Sequence, residues 1–179
     1  MKRDCPVTPL KRLRYFSGEL LTADDFQVEQ NYFLEKHRRH NRYLHGFGVV
    51  CGLEVSTDGV TLQVDPGLAL NCAGEEIPVC APVTSRLPRE GRIAFVRLSY
   101  LERETDPVPV SGGLNGMEKS RVEEGFEIIL AAEDPCRGHH RSDSRWLCCG
   151  GSHGIPIAKL KFGRGRWTID RRFLRPCVR

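Results

Sequence analysis

From Gly18 to Gly46 the chain runs without an intervening glycine or proline, and no later stretch of it does so for as long. Thr22 followed by Asp25 approximates a capping box, with Asp in place of Glu or Gln. Asp24 and Asp25 put negative charge in the first turn, while Lys36, Arg38, Arg39 and Arg42 crowd the far half. Both placements suit the helix dipole. Gly46 supplies a stop. The expectation is one helix over residues 22–45, about 22 residues and roughly 33 Å long. Phe26, Phe33 and Leu44, with Gln30, His37 and His40 between them, fall on one seam of alternating three and four. Val28, Tyr32 and Tyr43 lie elsewhere on the cylinder. Two readings follow: a helix laid across a sheet with its other side wet, or a helix used for assembly whose leftover aromatics meet another subunit.

After Gly46 the hydrophobic period changes to that of strands. Val49, Cys51, Leu53 and Val55 alternate with Val50, Gly52 and Glu54, and Val60 to Val64 alternates cleanly. With Asp58-Gly59 between them these read as a hairpin. Further strands are expected over residues 68–72 and 76–80, continuing a meander, with Pro78 placing the latter at an edge or bulge. Residues 92–102 read as a central strand, residues 105–119 as a proline- and glycine-rich loop, and residues 121–132 as a strand with Val122, Phe126, Ile128 and Leu130 inward. A last hairpin spans 155–162 and 166–170 across Gly163-Arg164-Gly165. The fold class expected is mainly β with one long N-terminal helix: an antiparallel β-sandwich or barrel of about eight short strands. The organisation is an N-terminal arm (1–21), the helix (22–45), and a β-rich domain (47–179) with a Cys/His-rich insertion at 135–154. Tyr15 and Phe16, ahead of Gly18, are placed to clamp the helix start to the sheet.

A resemblance fits this organisation. Arg14-Tyr-Phe-Ser-Gly-Glu-Leu-Leu-Thr-Ala-Asp-Asp-Phe26, then Arg39-His-Asn-Arg-Tyr-Leu-His-Gly-Phe-Gly-Val-Val-Cys-Gly-Leu53, resembles a family encoded beside contractile phage-tail-like injection systems. Val64-Asp-Pro-Gly-Leu-Ala-Leu-Asn-Cys-Ala-Gly-Glu-Glu-Ile77 is similar to its second signature, and to segments of baseplate and tail-fibre proteins. The resemblance implies a structural role in a particle and brings no catalytic residue with it.

The 179 residues suffice for a core without covalent staples. No run of about 20 apolar residues is present, and residues 1–20 lack the apolar centre of a signal peptide. Synthesis in the cytoplasm is expected, with a particle-associated and later released product. Net charge is +4, but Lys/Arg against Asp/Glu runs nine to six over 1–50, seven to fifteen over 51–136 and eleven to two over 137–179. Such a basic tail suits an acidic face on a neighbouring subunit, or pairing with the acidic middle of the same chain. Nucleic acid is disfavoured because no recognised motif accompanies the charge. The expected partner contacts are Arg38, Arg39, Arg42 and Tyr43 on the helix, with Arg171, Arg172 and Arg175 on the tail.

The eight cysteines and six histidines bound the chemistry. Cys136, His139, Cys149 and His153, with Cys148 and His140 as alternates, pair at the spacings tetrahedral zinc uses. A loop with no core of its own gains order from such an ion. Structural zinc, an unliganded loop and a disulfide formed outside the cell stay open, and members of the resembling family carry Cys-rich insertions here, which favours the metal. Cys51, Cys72 and Cys80 read as small buried apolar groups, and Cys5 with Cys177 as a pair only if the termini meet. His37, His40 and His45 read as half-buried histidines bonded to strand ends, with His37 and His40 also at a ligand spacing. Glu75-Glu76 and Glu123-Glu124 sit on solvated edges; adjacent strand residues face opposite ways, so neither pair is a glycosidase couple. No catalytic residue is assigned. The leading expectation is a non-enzymatic assembly component of a tail-like particle: baseplate, fibre or cap. A carbohydrate- or surface-binding module at a fibre tip, using Tyr100, Trp146 and Trp167, is the alternative; a metal-dependent hydrolase ranks last.

Overall fold

The computed structural model describes residues 8–110, 116–136, 141–142, 145–146 and 153–178. Helix α1 spans Ala23–His40 and continues as a π turn, Asn41–His45, before Gly46 ends it at φ +79°. Thr22 and Asp25 close the capping box in both directions. The strands are β1 (Gly48–Gly52), β2 (Val55–Thr57), β3 (Thr61–Val64), β4 (Gly67–Leu70), β5 (Glu76–Val79), β6 (Val83–Arg86), β7 (Ile93–Pro109), β8 (Met117–Ala131), β9 (Arg141–Ser142), β10 (Arg145–Trp146), β11 (Ile155–Gly163) and β12 (Arg166–Ile169).

The strands form antiparallel sheets ordered β1-β4-β5, β2-β3-β6 and β12-β11-β7-β8, with a short β9-β10 ladder. This is a mainly β chain with one N-terminal helix, and the described residues hold twelve strands, where about eight were expected, in four antiparallel sheets. The expected first strand breaks because Gly52 and Leu53 both take positive φ, 61° and 55°. β1 therefore pairs with β4 and β2 with β3, so the chain changes sheet where sequence read a simple meander. Gly52 is required there, since a Cβ would run into the Pro66 carbonyl. Pro78 lies on the edge strand β5, where its missing N–H costs no ladder bond.

β7 is a central strand, as its pattern indicated. Ala94, Val96 and Leu98 join Leu53, Leu62, Ile77, Ile155 and Leu160 in one core cluster. The expected loop over 105–119 is instead largely ladder: β7 and β8 stay paired out to Pro109 opposite Met117. The prolines are tolerated because this outer arm is exposed. Val122, expected inside, is 60% exposed on it. The C-terminal segment straps onto β1 through Val49 N–H to the Pro176 carbonyl (2.8 Å) and Val178 N–H to the Val49 carbonyl (3.0 Å). Among the cysteines read as buried, Cys72 is buried, whereas Cys51 and Cys80 are exposed.

Candidate interaction surface

The helix buries none of its residues. Every member of the Phe26–Gln30–Phe33–His37–His40–Leu44 seam is exposed, with Phe26 at 55%, Phe33 at 51% and Leu44 at 66%. Ahead of it Phe16 and Leu20 are also exposed, so the anticipated clamp by Tyr15 and Phe16 onto the sheet does not form. Burying one such side chain is worth about 1.5–3 kcal/mol. Here that stabilisation is not collected within the chain: the exposed aromatic and aliphatic side chains are interspersed with Gln30, His37 and His40.

The other side of the helix end is seated on the loop between β4 and β5. Gly74 (φ +85°) lies so close to the helix that a Cβ would meet the Arg38 carbonyl. Asn41, 9% exposed, donates its side-chain N–H to the Gly74 carbonyl at 2.9 Å, and Arg42 donates to the Ala73 carbonyl at 2.9 Å. The loop is pre-formed by Asn71. Its amide oxygen accepts from the Ala73 and Glu75 N–H groups, and its amide N–H meets the Glu75 carboxylate. A crevice of about 160 Å³ between helix and sheet is lined by Leu34, His37, Arg38, Glu75, Tyr100 and Glu124, among others.

Arg38 organises that crevice. Its guanidinium lies 3.4 Å from Glu35, 3.3 Å from Glu75 and 3.4 Å from Glu102. Partial burial disfavours its charge, but Glu75 and Glu35 outweigh that, and its pKa is raised overall. Glu102 stands directly opposite Glu124 across the β7–β8 ladder, a like-charge pair that Arg38 offsets. Burial pushes the Tyr100 hydroxyl well up, and its bond to Glu102 at 2.8 Å adds to the shift. Glu75, read from sequence as a solvated edge, is thus an ion-pair partner with only 10% of its side chain exposed.

The anticipated contact residues divide. Arg38 and Arg42 are engaged as above; Arg39 donates to the Thr8 carbonyl (2.6 Å). Arg175 donates to the Leu53 carbonyl (2.9 Å) and meets Glu54 at 2.6 Å. Tail–body pairing inside the chain therefore uses part of the charge asymmetry. Tyr43, Arg171 and Arg172 are exposed. Of the anticipated metal ligands, His139, His140, Cys148 and Cys149 lie outside the described residues. Cys136 is buried in the core cluster, its N–H bonded to Asp134 (2.9 Å), and His153 Nδ1 is 3.2 Å from the Gly154 carbonyl. Among the described residues no three His, Cys, Asp or Glu side chains gather as a metal centre. Trp167 is 2% exposed, donates to the Pro88 carbonyl (2.7 Å) and packs on Phe162, so it offers no sugar platform. His37, His40 and His45 are exposed, not half-buried against strand ends.

Sequence reasoning missed Asn41, Asn71 and Gly74 as the helix seat. The available signal was an Asn three residues before a Gly, the pattern of an Asx-stabilised turn. No helix is long and apolar enough to cross a membrane among the described residues.

No protein-family model and no curated protein matches the chain. Solved structures share its fold. A chain of the TssK–TssF–TssG baseplate subcomplex of the type VI secretion system aligns with TM-score 0.55 and 17% identity over 94% of this chain and 62% of its own length. A chain of the baseplate complex from the type VI secretion system aligns at 0.55 and 16%, over 94% and 60%. The crystal structure of TssK aligns at 0.52 and 11%, over 90% and 41%. The chain therefore spans about three fifths of the first two, and at these identities the likeness is one of fold.

Proposed function

We propose that this chain is a structural component of the baseplate of a contractile, tail-like injection particle, acting by contact and not by catalysis. The observation that carries the reading is a fold shared over 94% of the chain with baseplate proteins. The exposed seam of α1 fits it: the helix is anchored at one end by polar groups and keeps its apolar face for a neighbour. Phe26, Phe33, Leu44 and Tyr43 form the apolar contact, and Arg39, Arg171 and Arg172 the basic one. Symmetric assemblies repeat each interface, so modest surfaces suffice. On the same reading synthesis is cytoplasmic and the product particle-associated. The 135–154 segment holds one structural zinc on this reading, to be checked by elemental analysis as one equivalent that Cys149→Ser removes and that His40→Gln with His45→Gln leaves in place.

The test is co-expression with TssF- and TssG-type baseplate subunits. The tagged chain is expected to retain at least one of them, and Phe33→Glu with Leu44→Glu to abolish retention while leaving the thermal midpoint unchanged. A chain that retains none of those subunits overturns the proposal. The sugar-binding alternative has lost Trp167 to the core and Tyr100 to the crevice.

A further inference from the structure

The π turn at the end of α1 creates a juxtaposition that an α-helix would not. Five residues apart on an α-helix, two side chains point to different sides; the wider π winding brings them to the same side. His40 and His45 are such a pair, across the turn closed by Gly46 N–H to the Asn41 carbonyl (2.9 Å). Their Nε2 atoms are 3.3 Å apart, and their ring centroids 5.2 Å apart with planes inclined by 53°.

Those two distances carry information together. Two imidazoles sharing one tetrahedral ion at about 2.0–2.1 Å have nitrogens about 3.3 Å apart and centroids about 5.2 Å apart. A linear N–H···N bond of the same N–N length would put the centroids at about 5.6 Å, because each nitrogen sits about 1.15 Å out from its centroid. The two nitrogens therefore face one another off a straight line, at separations a shared ion would also give. We propose that His40 and His45 form a bidentate site for a late first-row transition-metal dication of the zinc or copper class, the ions imidazole suits.

The surroundings permit it. Both rings are exposed, so water can complete the coordination. The site lies at the carbonyl end of the helix, where the dipole favours a cation. The arginines adjacent in sequence are directed elsewhere, Arg39 to the Thr8 carbonyl and Arg42 to the Ala73 carbonyl. The ion would clip the turn that also carries Asn41 and Arg42, and so stiffen the seat of α1. The site shares no residue with the Cys/His-rich segment and does not depend on the baseplate reading.

Zinc chloride titrated into the full-length chain, followed through the imidazole nitrogen resonances, tests this at residue level. Reading each histidine separately distinguishes this zinc from any taken up by the Cys/His-rich segment. The expected result is that the His40 and His45 Nε2 signals shift together and saturate, and that His45→Gln raises the zinc concentration needed at His40 by about tenfold or more, the chelate advantage lost. His40→Gln gives the reciprocal effect at His45. Either ring staying unmoved in excess zinc overturns the proposal. So does an unchanged midpoint at His40 in the His45→Gln chain, since the ion would then not be shared.

Discussion

Two long elements, β7 and α1, meet the rest of the molecule in opposite ways. β7 threads the core: Ala94, Val96 and Leu98 are buried, and the strand has partners on both sides. α1 has no buried residue, and it is fixed by a capping box at one end and polar contacts at the other. The strand is held by apolar area removed from water. The helix is held by a few directional bonds, which leaves its apolar seam unused by the fold. A chain that folds this way has separated the surface that stabilises it from the surface it offers outward.

That contrast can be broken by measurement. Leu98→Ala removes a side chain that is 0% exposed and is expected to cost about 2–5 kcal/mol. Phe33→Ala, although it deletes the larger group, is expected to stay within about 0.5 kcal/mol, because its ring already faces water. Equal losses in chemical denaturation would show that α1 is buried in solution and end the comparison.

Next in size is Gly74→Ala. Its positive φ would cost a side chain about 1–2 kcal/mol, and the new Cβ would push the Arg38 carbonyl away. The expected outcome is loss of about 1–3 kcal/mol. The protection of α1 amides should fall more than that of β7 in hydrogen exchange. A uniform loss would mean that the helix and the sheet open together.

The smallest effect is a pH dependence confined to the helix. Bonds from the Thr22 side chain and N–H hold the Asp25 carboxyl below its ordinary value. A lowered folded-state pKa gives stability that is fully present above the unfolded value, 3.8, and is lost as pH falls through the folded one. Helical signal should therefore decline in acid below about pH 4, and Asp25→Asn should flatten that decline. No change on substitution would remove the cap from the account of what holds α1.

The helix and most strands were legible because their signals are local. Thr22, Asp25 and Gly46 mark the helix ends by chemistry each carries itself, and Arg164-Gly165 marks the last hairpin, both residues taking positive φ as a type I′ turn needs. The change of sheet at Gly52-Leu53 was not legible, since a leucine at positive φ is imposed by its tertiary surroundings. The outer β7–β8 arm was hidden by its prolines, which argue for a loop until the strand is known to be exposed. The helix seam was readable as a seam; whether it faced a sheet or water was not, because the same spacing serves both. The His40–His45 pair was out of reach for a simple reason: sequence spacing presumes an α turn, and this turn is wider.

Arg38 also ties three parts of the molecule to one atom group. It bridges the helix, the loop after β4 and the root of the β7–β8 arm, where Glu102 and Glu124 oppose each other. Drawing the helix aside would strip the cation from Glu75 and Glu102 at once, so strain applied at one protrusion is delivered to the other as electrostatic recoil. In Arg38→Gln the transmission should be slack, seen as a broadened separation between spin labels on α1 and β8.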